Sequence, residues 1–153
     1  MTPAEVKAAL SEINTLALTL WGEARGEDIE GKIAVASVIR NRAKDGSRWP
    51  DDLKGVCLQP SQFSCWGTMG GAANYRAVME LAEKLVTMPA YVPEPMVREC
   101  QWIAEGIASG VCRSRVGAAN HYLTRQLWET APPKWAKGQR PSAIVNRHVF
   151  FSL

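Results

Sequence analysis

Two carboxylates four residues apart, Glu23 and Glu27, stand in a short charged turn, Glu23-Ala24-Arg25-Gly26-Glu27-Asp28. A carboxyl at a helix end beside a break in the chain can face a cleft. If Glu23 is partly desolvated there, its pKa rises and it can hold a proton near neutral pH. That is what protonation of a leaving-group oxygen requires. Gly22 and Gly26 would let a substrate approach the backbone, and Arg25 can pair with a neighbouring acid. The competing reading is a purely structural, ion-paired corner between two helices. A second group is aromatic and amide-rich. Trp49, Trp66, Trp128 and Trp135, four of the six tryptophans, fall outside helical stripes. Exposed aromatic faces stack on sugar rings, and Gln59, Ser61, Gln62 and Ser64 around Phe63 offer hydrogen bonds to hydroxyl and N-acetyl groups. Such residues serve equally well as plugs beneath long loops. The third group is Asn120-His121-Tyr122 with His148, a set that can position a substrate or satisfy the core.

The elements that must hold these groups are mostly helical. Val6, Leu10, Ile13, Ala17 and Leu20 recur at three- and four-residue steps, predicting one helix that ends near Gly22. Ile29, Ile33, Ala36 and Ile39 predict a second, ending around Ala43, with Glu27 and Asp28 at its start. From Asp45 to Ala73 the period vanishes among seven Gly and Pro residues, predicting a long irregular binding loop. Asn74 is the expected cap of a third helix carrying Tyr75, Val78, Ala82 and Leu85. A fourth begins at Glu94-Pro95 and ends at Gly110. Short strands are expected at 118–122, 143–145 and 148–151, with a Pro/Trp-rich loop from Trp128 to Trp135 between them. The pattern is that of a mainly helical α+β single domain, residues 1–153, with a small C-terminal β-sheet.

The chain has 153 residues, 46% hydrophobic and 22% charged, ordinary for one globular domain and unlike a disordered or fibrous chain. The net charge of +3 is unevenly spread: residues 1–112 carry 11 basic and 14 acidic side chains, residues 113–153 carry 7 basic ones and only Glu129. The last third can therefore face an anionic polymer. No apolar run is long enough to span a bilayer, so no membrane insertion is expected, and the N-terminus does not resemble a secretory signal. Cys57, Cys65, Cys100 and Cys112 form no C-x-x-C pair. With His121 and His148 they match no metal-ligand spacing, so reduced thiols and no metal are expected. Arg40, Arg42, Lys44 and Arg48 raise the rival class of a nucleic-acid-binding module. Against it, the most basic region falls in strands and loops.

Five segments in order carry a resemblance. Leu20-Trp21-Gly22-Glu23-Ala24-Arg25-Gly26-Glu27 is followed by Gly31–Arg42, which has the form G-x-x-A-V-A-x-V-x-x-N-R. Then come Gln59-Pro60-Ser61-Gln62-Phe63, His121-Tyr122 with Trp135 downstream, and Arg147-His148-Val149-Phe150. Together they resemble the cell-wall hydrolase family typified by the spore cortex-lytic enzymes, over roughly residues 14–151. The resemblance implies a lysozyme-like fold and a peptidoglycan glycosidase cutting the β-1,4 bond between N-acetylmuramic acid and N-acetylglucosamine. It implies Glu23 as the acid, Glu27 as a supporting carboxylate, and no cofactor. The residues expected to bind substrate are Arg25, Gln59, Gln62, Phe63, Trp66, His121, Tyr122 and Trp135. The absent leader and the Pro133-Lys134-Trp135-Ala136 run look more like phage endolysins. That implies a monomer made in the host cytoplasm and acting in the periplasm or cell wall after release. A lytic transglycosylase route, with one carboxylate acting twice, and a hydrolytic muramidase route, with a second carboxylate, both stand.

Overall fold

The computed structural model describes residues 1–153. The first stripe of apolar residues folds as two helices, α1 (Pro3–Ala9) and α2 (Glu12–Ala24). The break has a local cause. Leu10 turns to extended backbone, and the Ser11 side chain accepts the Asn14 N–H to start α2 afresh. α2 also runs past Gly22, so Glu23 lies in its last turn. Leu16, Ala17, Leu18 and Leu20 have no exposed surface, as expected of a helix surrounded by others. The hydroxyls of Thr15 and Thr19 are satisfied by carbonyls one turn back.

α3 (Ile29–Asp45) starts on an Asp28 cap whose Oδ1 accepts the Gly31 N–H, and stops at Gly46 in the left-handed conformation. Lys32 on α3 is buried and ion-paired at 2.6 Å to Glu99 of α6 (Pro95–Ser109). The segment expected to be irregular is so only in part. It holds α4 (Leu53–Leu58), capped by Asp52, and two 3-10 turns, Ser64–Trp66 and Thr68–Gly70. α5 (Ala72–Thr87) begins two residues before the expected cap. Asn74 therefore lies inside it, where its side chain bonds Gly22 O and Arg25. α2, α3, α4, α5 and α6 enclose the main core, and α1 packs on α5.

The C-terminal part is a three-stranded antiparallel sheet in the order β1-β3-β2, built from β1 (His121–Thr124), β2 (Ala143–Val145) and β3 (His148–Phe151). α7 (Arg125–Thr130) occupies part of the expected loop. The central strand β3 is buried on both sides. Phe150 packs on Ala34 and Val38 of α3, while Val149 and Phe151 pack with Leu123 and Ala136 on the far face. The Asn41-Arg42 pair fastens the sheet's approach to α3. Asn41 donates to the carbonyls of Gly117 and Ala119, and Arg42 Nε to that of Asn120.

Candidate active site

Glu23 is held by the 3-10 turn lying across the end of α2. Its Oε1 accepts the Cys65 N–H at 3.0 Å and the Ser64 hydroxyl at 3.3 Å. The turn is itself anchored, since Trp66 Nε1 donates to Thr19 Oγ1 at 2.8 Å. Gly22 makes the approach feasible: a Cβ there would lie 2.6 Å from Cys65 Cβ. Gly22 thus admits a side chain of the protein, not a substrate as its position in the sequence suggested. Gly26 has open space where a Cβ would stand, and it lines the cleft. Burial and then the Glu23 charge push the Cys65 thiol far above its ordinary pKa, so it stays protonated beside the carboxylate.

The cleft has a volume of about 590 Å³ and is lined mostly by polar and charged residues. Glu23 and Glu27 stand on its helical side, and Thr124, Arg125, Arg147 and His148 on the sheet side. Glu27 is engaged at both oxygens. Oε1 lies 2.8 Å from His148 Nδ1, and Oε2 lies 3.5 Å from Arg147 Nη2. Burial lowers the His148 pKa, and the Glu27 carboxylate opposes that only in part. Next to Glu27, Asp28 Oδ1 accepts from Asn146 Nδ2 at 2.8 Å, joining the start of α3 to the β2–β3 turn. Asn146 has φ +53° there, a left-handed turn position that asparagine tolerates.

Of the other residues picked from the sequence, Tyr122 stands closest to this chemistry. Its ring lies edge-on to His148 at 5.5 Å and stacks on Phe150. Burial, then the Glu23 charge, drives its pKa well upward. Arg25 does not pair with an acid: it donates to Trp21 O and Asn74 Oδ1 and lies 4.2 Å over the Trp21 ring. Phe63 and Trp66 are core residues. Gln62 accepts from the buried Arg42, and Gln59 keeps a buried Oε1 with no partner. His121 belongs to a separate aromatic row, 5.9 Å from Trp49 and 4.9 Å from Trp135. Burial and then Arg42 and Arg48 lower its pKa. Trp135 is 36% exposed, whereas Trp66 is buried and Trp49 and Trp128 are half-buried, so most of the loop tryptophans pack inward.

Arg147 and Asn146 were not among the expected site residues, and His148 was expected only within a set that positions a substrate or satisfies the core. The R-H-x-F segment was visible, but nothing in its spacing indicated that His148 would meet Glu27. The two histidines cannot share a metal. The register sets His121 opposite Phe151 and Thr124 opposite His148, so the imidazoles project from opposite faces of the sheet. Nowhere do three His, Cys, Asp or Glu side chains converge. All four cysteines are free thiols. No helix is long and apolar enough to cross a membrane.

An acid in the last turn of a central helix, facing a polar cleft closed by a small antiparallel sheet, defines a lysozyme-like domain. The same fold occurs in two solved structures. The catalytic domain of the germination-specific lytic transglycosylase SleB from Bacillus anthracis superposes with a TM-score of 0.61 and 24% identity, covering 92% of this chain and 93% of that one. For the catalytic domain of SleB from Bacillus cereus the TM-score is 0.59 at 24% identity, with coverage of 92% and 88%. The chain belongs to the cell wall hydrolase family, whose profile matches residues 26–151. The spore cortex-lytic enzymes of Oceanobacillus iheyensis and Bacillus subtilis are 43% and 41% identical over 54 residues, 35% of this chain. The chain spans 19% and 17% of their lengths. The family profile begins three residues after Glu23, which leaves the role of that side chain to the geometry.

Proposed function

We propose that this protein is a peptidoglycan glycosidase of the lytic transglycosylase type, with Glu23 as its general acid. Its substrate is the β-1,4 bond between N-acetylmuramic acid and N-acetylglucosamine. The observation that carries the reading is the unequal use of the two carboxylates. Glu23 is fixed through one oxygen by neutral donors, and its Oε2 has no protein partner, which suits delivery of a proton to a bridging oxygen in the cleft. Glu27 is occupied at both oxygens, by the His148 imidazole and the Arg147 guanidinium, which disfavours it as the water-activating partner of a hydrolytic muramidase. After protonation the bond to the leaving sugar breaks through an oxocarbenium-like state. The muramic acid 6-hydroxyl then closes a 1,6-anhydro ring, a step that needs a proton acceptor.

A phage endolysin setting, a monomeric enzyme and action in the periplasm or cell wall complete the reading. The phage setting is supported by the Pro133-Lys134-Trp135-Ala136 run. The basic last third would speed encounter with an anionic wall, more so at low salt. The rival nucleic-acid reading loses one of its cations, because Arg42 is buried against Trp49, Phe63 and the Asn120 carbonyl. The test is mass spectrometry of peptidoglycan digested by the wild type and by Glu23→Gln. Anhydro-muramic ends from the wild type and intact glycan with the variant are expected. Reducing ends would replace this route with hydrolysis, and cut stem peptides would exclude a glycosidase.

A further inference from the structure

β1 joins two different surfaces. Thr124, at its end, lines the cleft, whereas His121, at its start, projects from the other face of the sheet. Along the strand the two are about 10 Å apart. Around His121 the aromatic row is braced on every side. The imidazole lies edge-on to Trp49 at 5.9 Å and tilted to Trp135 at 4.9 Å. Trp135 leans edge-on against the buried Phe151 at 5.6 Å, yet stays 36% exposed. Arg48 lies 4.5 Å over the Trp49 ring and is itself held by Asp45 and the Leu153 carbonyl. The His121 tautomer is fixed as well. Asn120 donates through Nδ2 to the Leu153 carbonyl and accepts the Leu153 N–H at Oδ1, so it is an oxygen that lies 2.8 Å from His121 Nδ1. Nδ1 therefore carries the hydrogen, and Nε2 presents a lone pair with no protein partner. Beside the row is a hollow of about 300 Å³ between the end of α3 and the start of β1. Arg48 and Asn120 line it too, which makes row and hollow continuous, and so do Asp45 and the exposed Lys44. Arg48 already pairs with Asp45 at 3.1 Å, so Lys44 is the uncompensated charge.

We propose that this row and hollow form a second binding site for peptidoglycan, outside the catalytic cleft. Trp135 and Trp49 take the face of a sugar ring, and Lys44 takes a carboxylate of the peptide attached to the glycan. The inference rests on the glycosidase reading for its ligand, and it gives the enzyme a hold on the wall apart from the bond it cuts. Pyranose rings present C–H faces that an exposed indole covers, and hydroxyl and N-acetyl N–H groups that donate to an acceptor such as Nε2. Burial, then Arg42 and Arg48, keep the imidazole neutral, as an acceptor must be. Aromatic rings beside a cation also suit the bases of a single-stranded nucleic acid. A sugar polymer is favoured because tracking a phosphate backbone takes several free cations, and here Arg42 is buried and Arg48 paired.

The experiment measures sedimentation of the full chain with purified peptidoglycan in a Glu23→Gln background, which removes cleavage. Adding Trp135→Ala should weaken binding about tenfold, and Trp135→Phe only about twofold, because a ring face remains. Lys44→Gln should weaken it about threefold and reduce its sensitivity to salt. On glycan stripped of its peptides the Lys44→Gln effect should vanish while the Trp135→Ala effect persists. Unchanged affinity in a folded Trp135→Ala variant would overturn the proposal. If that variant does not fold, unchanged affinity in Lys44→Gln, at an exposed position, overturns it instead. Tighter retention on a single-stranded oligonucleotide than on walls, lost in Trp135→Ala, would also overturn it and make the row a base-stacking site. Failure of the glycosidase reading looks different: Glu23→Gln would then still solubilise the walls, whatever the sedimentation shows.

Discussion

Glu23 and Glu27 are one helical turn apart in sequence, border the same cleft, and have opposite surroundings. The first ends a helix and meets a backbone N–H, a hydroxyl and a protonated thiol, all neutral. The second precedes a helix and meets an imidazole and a guanidinium. Neutral donors hold a carboxyl in place without demanding that it be ionised, whereas cations stabilise the ionised form specifically. Side-chain type and spacing therefore do not assign the roles here. The partners do, and they come from segments some 40 and 120 residues away.

The comparison breaks outright if the two carboxylates are interchangeable. Glu23→Gln should cost about 1,000-fold or more in lytic rate on purified walls, with melting temperature little changed; Glu27→Gln should cost about tenfold. Equal losses would mean that both take part in the chemistry. The grip on Glu23 is tested next by Gly22→Ala. The new methyl meets Cys65 Cβ at 2.6 Å and must push the 3-10 turn, and its N–H, off the carboxylate. The expected result is a loss of about 1–3 kcal/mol in stability and about tenfold in rate, while Gly26→Ala changes stability little. The smallest effect is in the pH dependence of stability. His121 and His148 have folded-state pKa values below the ordinary one. As pH falls below about 6.5 the unfolded chain takes up protons first, so stability present above that pH is lost toward the lower folded values. Thermal melts should fall over this window. They should fall further in Glu27→Gln, which removes the anion beside His148, and as in the wild type in Glu23→Gln.

Much of the frame was legible in the sequence. The apolar stripes of α3, α5 and α6, the Pro95 start and Gly110 stop, and two of the three strands at their observed residues follow from local periodicity and turn chemistry. Ser11 was harder, because Leu10 and Ile13 keep the stripe in phase across a break that only the cap reveals. The segment from 45 to 73 was misjudged for a related reason. One short helix and two 3-10 turns are too brief to set up a period, and their order comes from tertiary partners such as the Trp66–Thr19 hydrogen bond. Glu23 was legible as a candidate acid because of the motif around it. The seat of Glu23 was not, since Gly22 is defined by a contact with Cys65, more than forty residues on. His148 was legible as a candidate but its contact with Glu27 was not: a strand histidine reveals its partner only once the sheet register turns it toward the cleft.

The hydrogen bond between Asp28 and Asn146 is one rivet between two jaws, the helical lobe and the sheet, beside the His148 and Arg147 contacts to Glu27. Asp28 is already committed to the first turn of α3, so the gape of the groove is gauged by the same oxygen that begins a helix. On the proposed function, a glycan strand threading between the jaws meets a slot of preset width. Enzymes of this build that accept bulkier walls would then be expected to differ first at this rivet, before any change in the acid itself.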